Sequence, residues 1–112
     1  MKQIILDTSF IISCVKQKID FFEKLNHEGM RILVPEQVID ELMGLGADTA
    51  LKILEINEFK IVKMAGKDGD EAILKIAKKD PDLIVATLDR DLQKKMRNRK
   101  MIIRGMKNLE IL

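Results

Sequence analysis

The 112-residue sequence predicts a single α/β domain: a three-layer α/β/α sandwich around a mostly parallel sheet of roughly five strands. Three observations carry that expectation. Short runs of consecutive apolar residues, Ile4-Ile5-Leu6 and Leu83-Ile84-Val85-Ala86, suit strands covered on both faces rather than one. Segments with helical spacing alternate with these runs along the whole chain, and such alternation is the pattern of a parallel sheet between helical layers. The length fits one core and is too short for two, with no internal repeat, low-complexity tract or linker to divide it.

Taken in order, Gln3 to Leu6 is the first strand and ends on Asp7. Ser9 is a reasonable N-cap for a helix carrying Phe10, Ile11, Ile12 and Val15, continuing after a break through Ile19 to Leu25. Glu28-Gly29 ends it, and Arg31 to Val34 reads as a second buried strand. Pro35 is expected as the first helical residue of a segment running to Leu45, since the missing N–H costs nothing there. Gly44 and Gly46 close that helix, and Ala47 to Ile56 supplies the next. Glu58 to Met64 is a third strand, placed at an edge by its interrupting lysines. The polar turn Gly66-Lys67-Asp68-Gly69 leads to a helix from Asp70 to about Lys79. Asp80-Pro81-Asp82 breaks it before the strand Leu83 to Thr87. A helix from Asp91 to Arg97 and a last strand around Met101 to Ile103 complete the series.

Composition limits the chemistry. At 46% hydrophobic and 34% charged the chain is no disordered segment, and the absence of Trp and Tyr makes the core aliphatic. With four Phe there is no aromatic platform for stacking bases, so any nucleic-acid contact must rest on charge and shape. The net charge of +2 gives a weak overall field, so the distribution of charge matters more than its sum. Cys14 stands alone among apolar neighbours and reads as a core residue, and His27 lies in a polar turn. One Cys and one His exclude an internal disulfide, cysteine-based zinc sites and most nucleophilic triads, and fit a reducing, cytoplasmic setting. No apolar run reaches membrane-spanning length and the start has no basic leader pattern.

Carboxylates remain, and their positions sort them. Asp7 follows the first strand, and Asp89 lies just beyond the fourth. In open α/β sheets, ligands bind beyond the carboxyl ends of the strands, so neighbouring strands would put both acids in one crevice. Glu41 borders the apolar face formed by Val38, Leu42 and Leu45, whereas Asp40 projects away. Asp70 aligns with Ile73, Leu74 and Ala77, whereas Glu71 aligns with Lys75 and Lys78 on a solvated face. Singly, Asp7 and Asp70 also read as helix N-terminal acids, Asp89 as a cap, and Glu41 as a solvated helix residue. Jointly, four inward acids from four elements, with no Arg or Lys at matching positions, form an arrangement that a divalent cation would relieve. All-oxygen ligands favour Mg²⁺ or Mn²⁺ over zinc and suit metal-assisted phosphodiester hydrolysis. From Arg90 onward the chain is basic: Arg90, Lys94, Lys95 and Arg97, then Arg99, Lys100, Arg104 and Lys107. This run reads as a solvated surface or as a phosphate-tracking rim next to Asp89.

The Leu6-Asp7-Thr8-Ser9 opening, the segment Val34 to Leu42, the Gly69-Asp70-Glu71-Ala72 helix start and the stretch Ile84 to Leu92 together resemble a PIN-domain nuclease, in that family's order and over essentially the whole chain. The resemblance implies an endoribonuclease acting on RNA with one or two Mg²⁺ or Mn²⁺ ions. On the matching positions Asp7, Glu41, Asp70 and Asp89 would be catalytic ligands, Asp91 an auxiliary acid, and Thr8 and Ser9 ligand-orienting hydroxyls. Asp68 and Glu71 stand close enough to join or replace Asp70. The basic residues Arg90, Lys94, Lys95 and Arg97 would contact RNA. By analogy with small members of the family, a homodimer is expected. The biological role divides between RNA processing, rRNA included, with a ribosome-assembly partner, and the toxin of a toxin–antitoxin pair with its antitoxin. Val85-Ala86-Thr87-Leu88-Asp89-Arg90-Asp91-Leu92 and the basic tail fit processing somewhat better. Receiver and haloacid-dehalogenase domains share the strand-end aspartate, but the first needs paired acids there and the second an aspartate where Ser9 stands. A non-catalytic RNA-binding scaffold on the same fold is the alternative.

Overall fold

A computed structural model describes residues 1–112. Six strands form one sheet: β1 (Gln3–Leu6), β2 (Arg31–Pro35), β3 (Lys60–Val62), β4 (Ile84–Ala86), β5 (Lys100–Arg104) and β6 (Asn108–Ile111). Their spatial order is β3-β2-β1-β4-β5-β6, parallel throughout except for the β5–β6 pair. The helices are α1 (Thr8–Lys16), α2 (Phe21–His27), α3 (Glu36–Gly44), α4 (Asp48–Ile56), α5 (Gly69–Lys79) and α6 (Arg90–Lys94).

The two wholly apolar runs are the two central strands. Ile4, Ile5 and Leu6 of β1 are fully buried and Ile84, Val85 and Ala86 of β4 nearly so, so both faces of each strand are covered. Fully burying each of the larger of these side chains contributes about 1.5–3 kcal/mol before the entropy of ordering is set against it. Flanking them, β2 presents Ile32, Leu33 and Val34 to the same core, whereas β3 at the edge is largely exposed and carries Lys60. Three Phe belong to this interior and a fourth, Phe59, packs half-buried against it: Phe10 meets Phe21 edge-on at 6.2 Å, and Phe22 packs on Phe21 and Phe59. The three buried rings are not free to stack on a base.

Register then places the chemistry. Leu6 pairs with Ala86, and the Asp7 N–H donates to the Ala86 carbonyl at 2.9 Å, so the first residues beyond β1 and β4 stand side by side. The chain runs from β1 outward through β2 and β3, then returns to the other side of β1 as β4. The β1–β4 junction is therefore the point where the winding direction reverses, which is where such sheets open a crevice at their carboxyl ends.

Several local expectations are corrected. Six strands replace the expected five: Asn108–Ile111 follows the turn Gly105-Met106-Lys107 and folds back antiparallel on β5, half-burying Leu109 and Ile111. Its alternating pattern is only four residues long. Ser9 does not cap α1. Asp7 occupies the N-cap position in extended backbone, with no side-chain capping bond, because its carboxylate is engaged elsewhere. Pro35 ends β2 and occupies the N-cap of α3 at ψ 146°, so Glu36 is the first helical residue. The helix expected from Asp91 to Arg97 is shorter and earlier, Arg90–Lys94, because Asp89 supplies its cap.

Candidate active site

One cleft of about 520 Å³ at the β1–β4 switch is lined by Asp7, Thr8, Ser9, Glu41, Gly44, Leu45, Asp70 and Asp89. It brings together all four acids singled out from the sequence, one from each of four elements, and no basic side chain lines it. A larger cavity, about 650 Å³ between α2 and the β5–β6 hairpin, is also lined by four acids, Asp20, Glu23, Glu28 and Glu110, but Lys2 and Lys24 stand among them and offset their charge.

Asp7 is buried and held by hydroxyls. Thr87 Oγ1 donates to Asp7 Oδ2 at 2.7 Å, and Ser9 Oγ donates to the same oxygen at 3.1 Å. Those hydroxyls are themselves fixed by backbone donors: the Leu88 N–H reaches Ser9 Oγ and the Asp89 N–H reaches Thr87 Oγ1, each at 3.1 Å. None of these side chains occupies Asp7 Oδ1. Burial raises the Asp7 pKa above the ordinary 3.8, against the opposing pull of Thr87, Ser9 and the Thr8 backbone, with the Glu41 charge pushing it up further.

Glu41 stands half-buried on α3. Its Oε1 accepts from Thr8 Oγ1 at 2.5 Å and its Oε2 from the Gly69 N–H at 3.1 Å. Those two bonds tie α3 to the starts of both α1 and α5. Gly69 is needed for this closeness, because a Cβ there would lie 2.8 Å from Glu41 Oε1 and 3.0 Å from Val38 Cγ2.

Asp89 Oδ1 accepts from the Asp91 and Leu92 N–H groups, at 2.9 and 3.2 Å, and so caps α6. Its second oxygen makes no hydrogen bond. Asp89 thus caps α6 with one oxygen and also lines the cleft. Asp70 makes no hydrogen bond and is exposed, yet its pKa is pushed up to about 6, first by partial desolvation and then by Asp7, Asp89, Asp68 and Glu41.

The remaining candidates separate clearly. Thr8 and Ser9 each donate to an acid of the cleft, Thr8 to Glu41 and Ser9 to Asp7. Asp68 caps α5 by accepting from the Glu71 N–H, and Glu71 pairs with Lys75 across one helical turn at 3.4 Å. Neither lines the cleft. Asp91 is exposed on α6 and does not line it either. Arg90, Lys94, Lys95 and Arg97 are all exposed on α6 and the turn after it, just beyond Asp89. Cys14 is a buried free thiol whose pKa burial pushes up to about 12, which leaves it chemically quiet. Sequence reasoning overlooked Thr87, wholly buried and bonded to Asp7, because it reads as the last residue of an apolar strand. Its signal was its place: a hydroxyl in register with Asp7 and two residues before Asp89. Leu45, expected on the apolar face beside Glu41, is instead exposed at the cleft rim next to Gly44.

The donors are hard oxygens at a place of excess negative charge, so their chemistry fits a divalent cation such as Mg²⁺ or Mn²⁺. No three of the acids converge on one point as they stand.

A mostly parallel sheet with four carboxylates gathered at its switch point sets the chain among α/β domains with an acidic cleft. Within that class the assignment is specific: the chain belongs to the PIN-like domain family, whose description, "PIN like domain", matches residues 4–107. It is similar to Ribonuclease VapC4 of Methanocaldococcus jannaschii, 31% identical over 127 aligned positions that cover 99% of this chain and 97% of that protein. Among solved structures it is similar to the PIN domain endonuclease Utp24, with a TM-score of 0.85 and 26% identity over 97% of this chain and 90% of that one. The α/β architecture expected from the sequence, and the resemblance to PIN nucleases, both hold. No helix is long and apolar enough to cross a membrane.

Proposed function

We propose that the chain is an endoribonuclease that hydrolyses phosphodiester bonds of RNA with Mg²⁺ or Mn²⁺ held by Asp7, Glu41, Asp70 and Asp89. The single observation that carries this reading is the gathering of those four carboxylates on one cleft that no cation of the chain lines. The names of the two relatives, a ribonuclease and an endonuclease, support the same class of chemistry. Bound there, a divalent cation supplies electrophilic assistance at the phosphate and lowers the pKa of a water. The chain's own residues supply orientation. Thr87 and Ser9 fix Asp7, Thr8 and the Gly69 N–H fix Glu41, and the cap on α6 fixes Asp89. No histidine lines the cleft, and the reading requires none.

Arg90, Lys94, Lys95 and Arg97 hold the RNA phosphates flanking the cut. Replacing Lys94 and Lys95 together by Ala is expected to weaken RNA binding alike for all sequences. It should also flatten the plot of log affinity against log salt by about 0.7 per lost phosphate contact on single strands, measured by fluorescence anisotropy at several salt concentrations. An unchanged slope would remove these lysines from the interface.

The direct test is incubation of a mixed single-stranded RNA pool with Mg²⁺ or Mn²⁺, with and without EDTA. Cutting that needs the ion supports the enzyme. RNA that is bound and left intact under both ions gives the scaffold alternative instead. Between the two biological roles, growth arrest on expression in cells, relieved by a co-expressed neighbour-encoded protein, marks a toxin; altered RNA maturation without arrest marks a processing factor. A cytoplasmic, homodimeric enzyme is the form proposed for either role.

A further inference from the structure

We propose that Gln37 is a positioning residue for the acidic cleft: its side-chain amide clamps the loop between β3 and α5, so that Asp70 emerges facing the other three carboxylates. This rests on the reading of the cleft as a cation site. Gln37 lies one helical turn before Glu41 on α3, so the two side chains share a face. Its Nε2 donates to the Met64 carbonyl at 2.6 Å and to the Gly66 carbonyl at 3.1 Å. Glu41 continues the row by accepting from the Gly69 N–H. Successive turns of one helix thus fasten the loop at residues 64, 66 and 69, and Asp70 follows immediately.

Asp70 is the one acid of the four whose carboxylate makes no hydrogen bond, so the backbone before it decides where it stands. That backbone has little room to move. A Cβ on Gly66 would lie 2.9 Å from the Ala72 nitrogen, which is backbone and cannot yield cheaply. The loop is therefore pressed against the first turn of α5 on one side and fastened to α3 on the other.

A second observation separates positioning from packing. Both N–H groups of the Gln37 amide are used, but its Oε1 is buried without any partner. A buried polar atom left unsatisfied works against stability, and Met, with the same reach and no polar head, would avoid it. Gln at this place is hard to account for as packing. What it alone provides is a fork of two donors aimed at two loop carbonyls.

The test compares wild type with Gln37→Met and Gln37→Leu, two independent ways to remove the donors while filling the space. Three quantities are measured on each: melting temperature without metal, Mn²⁺ affinity by calorimetry, and kcat and KM on RNA. The expected result is a protein that still folds, its melting temperature lowered at most by the loss of two hydrogen bonds, with Mn²⁺ affinity and kcat lowered about 10- to 100-fold, the range seen when groups that orient metal ligands are removed, and by more than any change in folded fraction accounts for. KM for RNA should hold, because the basic rim is untouched. Folded variants with wild-type Mn²⁺ affinity and kcat overturn the assignment of Gln37 alone. Variants that lose activity only in proportion to lost folding overturn it too, by making Gln37 a packing residue. Wild-type protein that takes up no Mn²⁺ overturns the site reading, and this role with it.

Discussion

Replacing Asp7 by Asn is expected to reduce RNA cleavage on the order of a thousandfold or more, a loss of about 4 kcal/mol of transition-state stabilisation, while making the metal-free protein more stable at neutral pH. Both effects follow from one placement. Asp7 is buried at the end of the central strand, and burial raises its pKa above 3.8. The folded state therefore holds the Asp7 proton more tightly than the unfolded chain does. Where the native state binds more protons, stability falls as pH rises. For Asp7 the fall begins near the unfolded value and is complete once pH exceeds the raised folded value. Asn never ionises and escapes it. Thermal melts of both proteins without metal should coincide below about pH 4 and separate in favour of Asp7→Asn as pH approaches 7. A mutant that melts below wild type at neutral pH would show that the charge is compensated within the fold.

At Asp89 the expected result depends on the replacement. One oxygen caps α6 and the other is free for the cleft. Asn caps about as well as Asp, so Asp89→Asn should retain stability and lose roughly 100-fold or more in cleavage. Asp89→Ala should lose the same activity and about 1 kcal/mol of stability besides. Asp91→Asn should cut within about twofold of wild type, since Asp91 is exposed outside the cleft and a surface change of this kind stays near 0.5 kcal/mol. Denaturant melts beside single-turnover cleavage separate these outcomes. An Asp91→Asn protein as inactive as Asp89→Asn would restore Asp91 to the site.

The sorting of acids could be read from the sequence because apolar patterning marks their places, Asp7 and Asp89 beyond apolar strands, Glu41 and Asp70 on the apolar edges of helices, although each taken singly also read as a cap, an N-terminal acid or a surface residue. Their assembly could not be read in the same way. It depends on β4 returning beside β1 and not beside β3, a choice of topology on which local patterns are silent. Thr87 was hidden for that reason, since its partner Asp7 is eighty residues away in sequence. Gln37 was hidden because its partners are backbone carbonyls, which no residue type announces. The sixth strand escaped because Asn108–Ile111 gains its structure from pairing with β5 and not from a pattern long enough to stand alone. Asp89 could be read two ways, and the fold uses both.

The central claim is that carboxylates from four elements act as one cation site, and Mn²⁺ uptake with its accompanying proton release tests it most directly. Asp70, with its pKa near 6, and buried Asp7 both hold protons more readily than ordinary carboxyls, and a bound cation must displace any that are present. Calorimetry in buffers of different ionisation enthalpy should find Mn²⁺ binding that releases protons at pH 6 and fewer at pH 8, and both the binding and the release should be lost in Asp7→Asn. Binding without proton release at either pH, or binding that survives Asp7→Asn unchanged, would contradict a shared site.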